Sequence, residues 1–334
     1  MMPNWQNAHF PFRKEVNVLN SQSLRENAAD FIVYKRSIGY VYDGSERLLN
    51  RYVDYAEKAE AGIQYPIKAV TDNYLAKISN AAATLYGSVA VLREFSRFLQ
   101  ARGYRDAYMI PPKTASQPVP EDPYFFTEEE ISAFFRELDL IKPNKSFKGR
   151  ELVIPALFRL LYCCGLRCKE ARMLECRDVH LGELYIDVRQ SKGPKSRRIF
   201  ISQELSDYLF GYEESINLLF PGREYFFPSS AGFYSSTAVS ANFRRFWQKA
   251  FPDFVITTRP PRAYDFRHHF AWANLNRWAA EGLDVNAMLP YLMRYMGHQS
   301  VSETLYYFHF VPEFFPTYKS MSAPLEDLLP EVPE

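Results

Sequence analysis

The sequence contains no run of 18 apolar residues and does not open on a basic-then-apolar segment, so nothing in it predicts a membrane span or a secretion signal. Cysteine is scarce. The four present (Cys163, Cys164, Cys168, Cys176) fall in one short stretch, two of them adjacent, without the paired C-x-x-C spacing of a zinc site. His180 lies nearby but does not complete a ligand set, so the group reads as small apolar residues on a buried helix in a reducing cytoplasm. A phosphate-cradling G-x-x-x-x-G-K loop is missing, as is an H-E-x-x-H helix. No cofactor and no metal is therefore expected. No internal repeat is visible. A charge excess is absent too: the net charge is +1, with +4 in residues 1–120 and −3 in the remainder. Bulk charge does not point to nucleic acid, although a local stripe can bind phosphate in a neutral protein.

Aromatic residues are what the chain has in quantity, with 23 Tyr and 27 Phe, so no single tyrosine carries meaning by itself. A length of 334 residues, 47% hydrophobic, allows about two domains with sizeable cores. Residues 1–22 lack periodicity and read as a flexible arm, too short for an additional DNA-binding domain. Residues 23–108 read as helical. Val91, Leu92, Phe95, Phe98 and Leu99 share one face, Arg93 and Arg97 flank it, and Gly103 is a natural stop. The proline-rich stretch 109–123 reads as a linker. A second domain, 124–311, opens on F-T-E-E-E-I, with Thr127 as N-cap and Glu128, Glu129 and Glu130 in the first turn. Within it 151–175 reads as helix, and 184–189 and 197–201 as strands of a hairpin with a turn at Gly193-Pro194. Residues 312–334 form a tail whose apolar pairs suit either its own domain or a neighbouring subunit. The fold expected is mainly α with a small β-sheet, an α+β domain following a helical one.

Four polar clusters stand out in the second domain. They are G-L-R-C-K-E with Arg167 and Glu170; the hairpin tip with Lys192, Lys195, Arg197 and Arg198; Y-D-F-R-H-H-F with Tyr264, Arg267 and His268; and M-G-H with His298, nine residues before Tyr307. Singly, each has an ordinary reading as an i,i+3 ion pair, a solvated turn, a surface arginine or a helix cap. Their order does not. G-L-R-x-x-E, a hairpin K-G-x-K-x-R, an R-H pair, a G-H and a tyrosine nine residues further on resemble the phage-integrase family of tyrosine recombinases. The helical first domain and proline linker resemble that family's core-binding domain and hinge.

The resemblance implies a site-specific DNA recombinase that cuts and rejoins DNA through a 3′-phosphotyrosine. Tyr307 would be the nucleophile, in preference to Tyr306. Arg167, Arg267 and His298 would bind the non-bridging oxygens, and Lys192 would be the general acid. Glu170 and His268 are expected to support these groups from behind. Lys195, Arg197, Arg198, Arg244 and Arg245 are candidates for the DNA backbone. The implied partners are double-stranded DNA with a specific site, closed on by both domains, a tetramer on that DNA, and accessory DNA-bending proteins. No membrane is implied, and the setting is the cytoplasm at the nucleoid. Tyr264 departs from the pattern, which has His there; a phenol can donate to phosphate but cannot take a proton near neutral pH. A DNA-binding relative with an impaired site, or a strand-relaxing type IB topoisomerase, would share these motifs.

Overall fold

The structure is a computed structural model and describes residues 22–118, 122–189, 196–253, 259–298, 300–305 and 307. The arm up to residue 21, the tail, Lys192, Lys195 and Tyr306 lie outside these residues. The chain divides into two compact units between Glu121 and Asp122.

The first unit holds α1 (Leu24–Ser37), α2 (Asp43–Ala59), α3 (Lys68–Lys77) and α4 (Ala82–Ala101). A capping box starts α1: the Ser23 side chain accepts from the Glu26 amide while Glu26 reaches back to the Ser23 amide. Phe31, Leu49, Tyr52, Val53, Phe95 and Leu99 meet in a core, so the α4 face read from the sequence is the buried one, with Phe98 at its margin. Tyr104, Ala107 and Ile110 are buried in that same core. Tyr108 is tied down as well, its amide donating to Pro66 O and its own carbonyl accepting from Ser96 Oγ, both at 2.7 Å. The start of the supposed linker is therefore structural. It is not simply extended either: the chain turns over 112–115, with Lys113 at φ 66° and Thr114 Oγ1 donating to Pro111 O, and Ile110 packs into the core that α4 lines.

The second unit opens with α5 (Glu128–Asp139), where Thr127 is the N-cap expected from the sequence and Glu130 reaches back to complete a capping box. There follow α6 (Arg150–Cys164), α7 (Cys168–Arg172), β1 (Val179–His180), β2 (Tyr185–Val188), β3 (Arg197–Phe200) and α8 (Gln203–Leu219). The two-stranded β4 (Pro228–Ser229) and β5 (Gly232–Phe233) precede α9 (Ser236–Ala250), α10 (Asp265–Ala280), α11 (Val285–Met296) and α12 (Val301–Leu305). The first three strands form an antiparallel sheet in the order β1-β2-β3, with Val188 opposite Arg197. Phe134, Phe158, Phe226, Phe227, Phe243 and Phe266 build the main core. A smaller cluster of Ala271, Leu275, Leu289, Leu292, Met296 and Tyr307 joins α10 to α11. Among the described residues no helix is long and apolar enough to cross a membrane, and no His, Cys, Asp and Glu group could hold a metal.

The expectation of one helix over 151–175 is corrected. Gly165 ends α6 in the left-handed region at φ 57°, and α7 starts afresh at Cys168. A Cβ on Gly165 would lie 2.5 Å from Phe270 Cδ1, so only glycine lets α6 turn this close to α10. Gly165→Ala is expected to cost at least about 2 kcal/mol, from positive-φ strain plus displacement of a packed ring, read as a lower urea midpoint with an unchanged m-value. The cysteines are also not uniformly buried. All four are free thiols, with Cys164 enclosed, Cys168 and Cys176 half-buried, and Cys163 on the solvent side of α6.

Candidate active site

The break at Gly165 gives Arg167 its position. It is the N-cap of α7, in extended conformation, rather than a residue one turn before Glu170 on a continuous helix. Glu170 at the third position of α7 accepts from the Arg167 amide at 2.9 Å and from Arg167 Nη1 at 2.9 Å. Arg167 Nη2 reaches Gly297 O at 3.0 Å, across 130 residues.

Arg267 lies on α10 with 2% of its surface exposed. Its Nη1 donates to Gly165 O at 2.8 Å and its Nη2 to Met296 O at 2.6 Å. These carbonyls belong to the C-terminal ends of α6 and α11, where the helix itself supplies no partners and the dipole favours a cation. Arg267 thus joins the ends of α6 and α11, Arg167 meets it at the end of α11 through Gly297 O, and each fork retains N–H donors beyond those bonds. Burial, and then repulsion from Arg167, lower the Arg267 pKa to about 10. Two guanidiniums held together in a poorly solvated place are the arrangement an anion would relieve.

Beside them stand His268, His298 and Tyr307. His268 Nδ1 is 2.9 Å from the Tyr307 hydroxyl. His298 follows Gly297, the left-handed end of α11, and its Nδ1 is 2.7 Å from Thr304 Oγ1. Its ring lies nearly parallel to that of Tyr307. His269 Nδ1 accepts from the Phe126 amide, fixing α10 to the entry of the unit. Tyr307 is 3% exposed. Tyr264, the N-cap of α10, is 44% exposed and sets its ring edge-on to His268 at 4.9 Å. The structure thus brings together Arg167, Glu170, Arg267, His268, His298, Tyr307 and Tyr264.

Two placements differ from those expected. Arg197 is not a solvent-facing hairpin residue. Its side chain is 8% exposed, gives Nη1 and Nη2 to the two Glu170 oxygens at 3.0 and 2.9 Å, and gives Nε to Tyr295 O at 2.7 Å. A Cβ on Gly297 would meet it at 2.9 Å. The signal lies in the strand: with period 2, Arg197 shares its face with fully buried Ile199. His268 is the other, touching Tyr307 directly instead of supporting from behind. Arg198, on the opposite face, forms a two-pronged pair with Asp187 and lies over the Tyr185 ring. Arg244 and Arg245 are exposed on α9. Asp265 escapes sequence reading altogether. It is fully buried, holds Arg259 through both oxygens and accepts from the Arg262 amide, fixing the loop that leads into Tyr264 and Arg267. Nothing local in Y-D-F-R marks it, because Arg259 is placed by the loop.

Buried and surrounded by Arg197 and Arg167, Glu170 is pulled to a pKa of about 2; burial alone would raise it, but the two guanidiniums outweigh that. Burial first, with nearby arginines adding to it in two of the three, depresses His268 and His269 to about 4 and His298 to about 3. Their unfolded value near 6.5 is higher, so on acidification the unfolded chain takes protons first. Their contribution is fully present above about pH 6.5 and is lost as pH falls toward 4. Glu170 adds loss only from about pH 4.5 downward. The unfolding free energy of the second unit, read from urea titrations, is expected to hold above pH 7 and fall between pH 6.5 and 4.5, by at most about 1.4 kcal/mol per pH unit for each histidine. A flat profile across that window would mean the rings are not held neutral.

Residues 125–313 match the family model of the phage integrase family. A putative integrase/recombinase, y4rE, of Sinorhizobium fredii is 27% identical over 299 residues, covering 85% of this chain and 91% of that protein. The tyrosine recombinase XerC of Oceanobacillus iheyensis is 29% identical over 231 residues, 66% of this chain and 68% of its own. Among solved structures, a lambda integrase dimer bound to a COC′ core site superposes with a TM-score of 0.61 at 14% identity, covering 86% of this chain and 77% of that one. The Tn1549 transposon integrase bound to transposon right-end DNA gives 0.59 at 15% identity, covering 91% and 100%. Both structural likenesses are of fold.

Proposed function

Since the chain belongs to the phage integrase family and is a tyrosine-type recombinase that breaks and rejoins DNA, we propose that Tyr307 is its nucleophile and that Arg167, Arg267 and His298 hold the scissile phosphate. The observation that carries this reading is the paired guanidiniums: Arg167 and Arg267 both bond the end of α11 beside Tyr307, close enough that Arg167 lowers the pKa of Arg267, with Glu170 the carboxylate that braces Arg167.

A phosphodiester resists attack because its non-bridging oxygens repel the nucleophile. Planar guanidiniums neutralise that charge and donate hydrogen bonds that strengthen as charge grows at phosphorus. Tyr307 Oη attacks phosphorus, the P–O5′ bond breaks, and Lys192 supplies the proton that the 5′ oxygen needs. The 3′-phosphotyrosine conserves the energy of the bond for rejoining. The preferred substrate is double-stranded DNA with one specific site, gripped by both units, with strand exchange in a tetramer assisted by DNA-bending proteins at the nucleoid. Arg198, Arg244 and Arg245, with Lys195, would position the backbone; Arg197 is reassigned to the frame that holds Glu170.

The test is covalent capture. Duplexes with a randomised 40-bp segment and a nick are incubated with the full chain, and DNA attached to protein after denaturation is recovered and sequenced. A single enriched site, rejoined when the missing strand is supplied, supports a site-specific recombinase. Adducts spread evenly over the pool favour strand relaxation instead, and no adduct rejects the enzyme reading.

A further inference from the structure

Tyr264 occupies the position where the family pattern has histidine, and a phenol there cannot take the nucleophile's proton near neutral pH, while the motif alone does not say which remaining group touches Tyr307. The fold supplies one. His268, four residues later on α10, is the basic group hydrogen-bonded to the Tyr307 hydroxyl, at 2.9 Å through Nδ1. We propose that His268 is the catalytic proton acceptor for Tyr307, an assignment that rests on the recombinase reading above.

Three observations support it. Geometry comes first: a general base must lie within hydrogen-bonding reach of the proton it removes, and here that contact exists before DNA arrives. Second, the ring is held. Its edge-on neighbour is Tyr264, Tyr307 packs against it at 5.5 Å, and Asp265, at the start of the same helix, is locked by Arg259. Third, the other histidine beside Tyr307 is otherwise occupied, with His298 Nδ1 on Thr304.

The charged and titratable groups around His268 are Tyr264, Asp265 and Arg267 at the start of its own helix, Arg259 and Arg262 in the preceding loop, and His298 and Tyr307 beyond α11. Burial keeps the ring neutral at neutral pH, so a lone pair on Nδ1 is available when the proton resides on Nε2. An incoming phosphodiester brings negative charge, which raises the basicity of the ring at the moment the proton must move. The step balances. The Tyr307 O–H bond breaks and the O–P bond forms, the proton passes to His268, P–O5′ breaks, and the 5′ oxygen takes a proton from the general acid. Rejoining reverses each transfer, so no oxidant or cofactor enters.

Two measurements test the assignment. In the DNA-free full chain, long-range proton–nitrogen NMR at pH 7.5 is expected to show His268 unprotonated at Nδ1 and protonated at Nε2, with Nδ1 shifting in Tyr307→Phe. A protonated Nδ1 that donates to Tyr307 overturns the proposal. On the duplex recovered by capture, His268→Asn keeps an amide near the Nδ1 position but cannot take the proton. Its adduct rate at pH 7.5 is expected to fall by about 100-fold or more, with unchanged DNA affinity and thermal midpoint. In His268→Ala, added imidazole is expected to restore part of the rate, which a purely structural defect would not allow. A wild-type adduct with unslowed His268→Asn, or no imidazole rescue, overturns this assignment alone; a wild type that forms no adduct overturns the recombinase reading with it.

Discussion

Tyr307→Phe is expected to form no covalent adduct on the captured duplex while binding it as tightly as the unsubstituted chain. Removing one oxygen from a side chain that is 3% exposed leaves the ring in its cluster with Leu275, Leu289 and Met296. The change takes away the hydrogen bond between the hydroxyl and His268, so the cost to folding is about 1 kcal/mol. The cost to cleavage is total, because phosphorus has no other nucleophile that preserves the bond for rejoining. Adduct is read as a band of retarded mobility on a denaturing gel, at least about 1000-fold below wild type. Tyr306→Phe, at the neighbouring position, is expected to retain the adduct. If Tyr306→Phe abolished it and Tyr307→Phe did not, the nine-residue offset from His298 would have misassigned the nucleophile.

Glu170→Gln is expected to give the largest loss of stability of any single change at the site, about 3–5 kcal/mol. Its carboxylate is 3% exposed and accepts from Arg197 twice, from Arg167 Nη1 and from the Arg167 amide. An amide can satisfy only some of these donors and turns N–H groups of its own toward guanidinium, leaving buried positive charge without a counter-ion. Cleavage is expected to slow by at least about 100-fold, since Arg167 loses its brace. The double change Glu170→Leu with Arg197→Met separates the two effects. Replacing a buried ion pair by apolar side chains of similar volume is expected to restore most of the urea midpoint, because the desolvated charges are gone together. Adduct formation should remain slow, as Arg167 is then held only through Gly297 O. Recovery of both stability and cleavage would show that Glu170 holds Arg197 and β3 rather than Arg167.

Much of this architecture is legible in the residues themselves. Thr127 and Glu130 announce α5, and the alternating runs on either side of Gly193-Pro194 give strands whose pairing sets Val188 opposite Arg197. The α4 face is legible too, because helical periodicity and burial express one fact. These are local properties, fixed within a turn or a pleat. The ordered motif points to the residues around Tyr307 for a different reason: only a chain that must assemble them keeps that order and spacing. The same pattern does not say what each residue touches. Arg197 reads as a surface cation because charge usually stays in water, although its alternation with Ile199 already turns it inward. The proline stretch reads as a spacer because proline excludes helix, whereas burial of Ile110 depends on where α4 lies.

By itself, then, the sequence determined a helical unit followed by an α+β unit and the residues expected to handle a phosphate. Tertiary structure alone decided how they are held: Gly165 breaking the helix so that Arg167 becomes an N-cap, Arg267 bonded to the carbonyl ends of α6 and α11, and Arg167 to that of α11. It also decided that Glu170 serves both Arg167 and Arg197, and that His268, 39 residues from Tyr307, stands against its hydroxyl. The physical reason is range. Capping, alternation and helical periodicity act over a few residues, so sequence records them directly. A hydrogen bond between distant side chains depends on the packing of every helix between them, and buried charges choose partners only once that packing has removed water as the alternative.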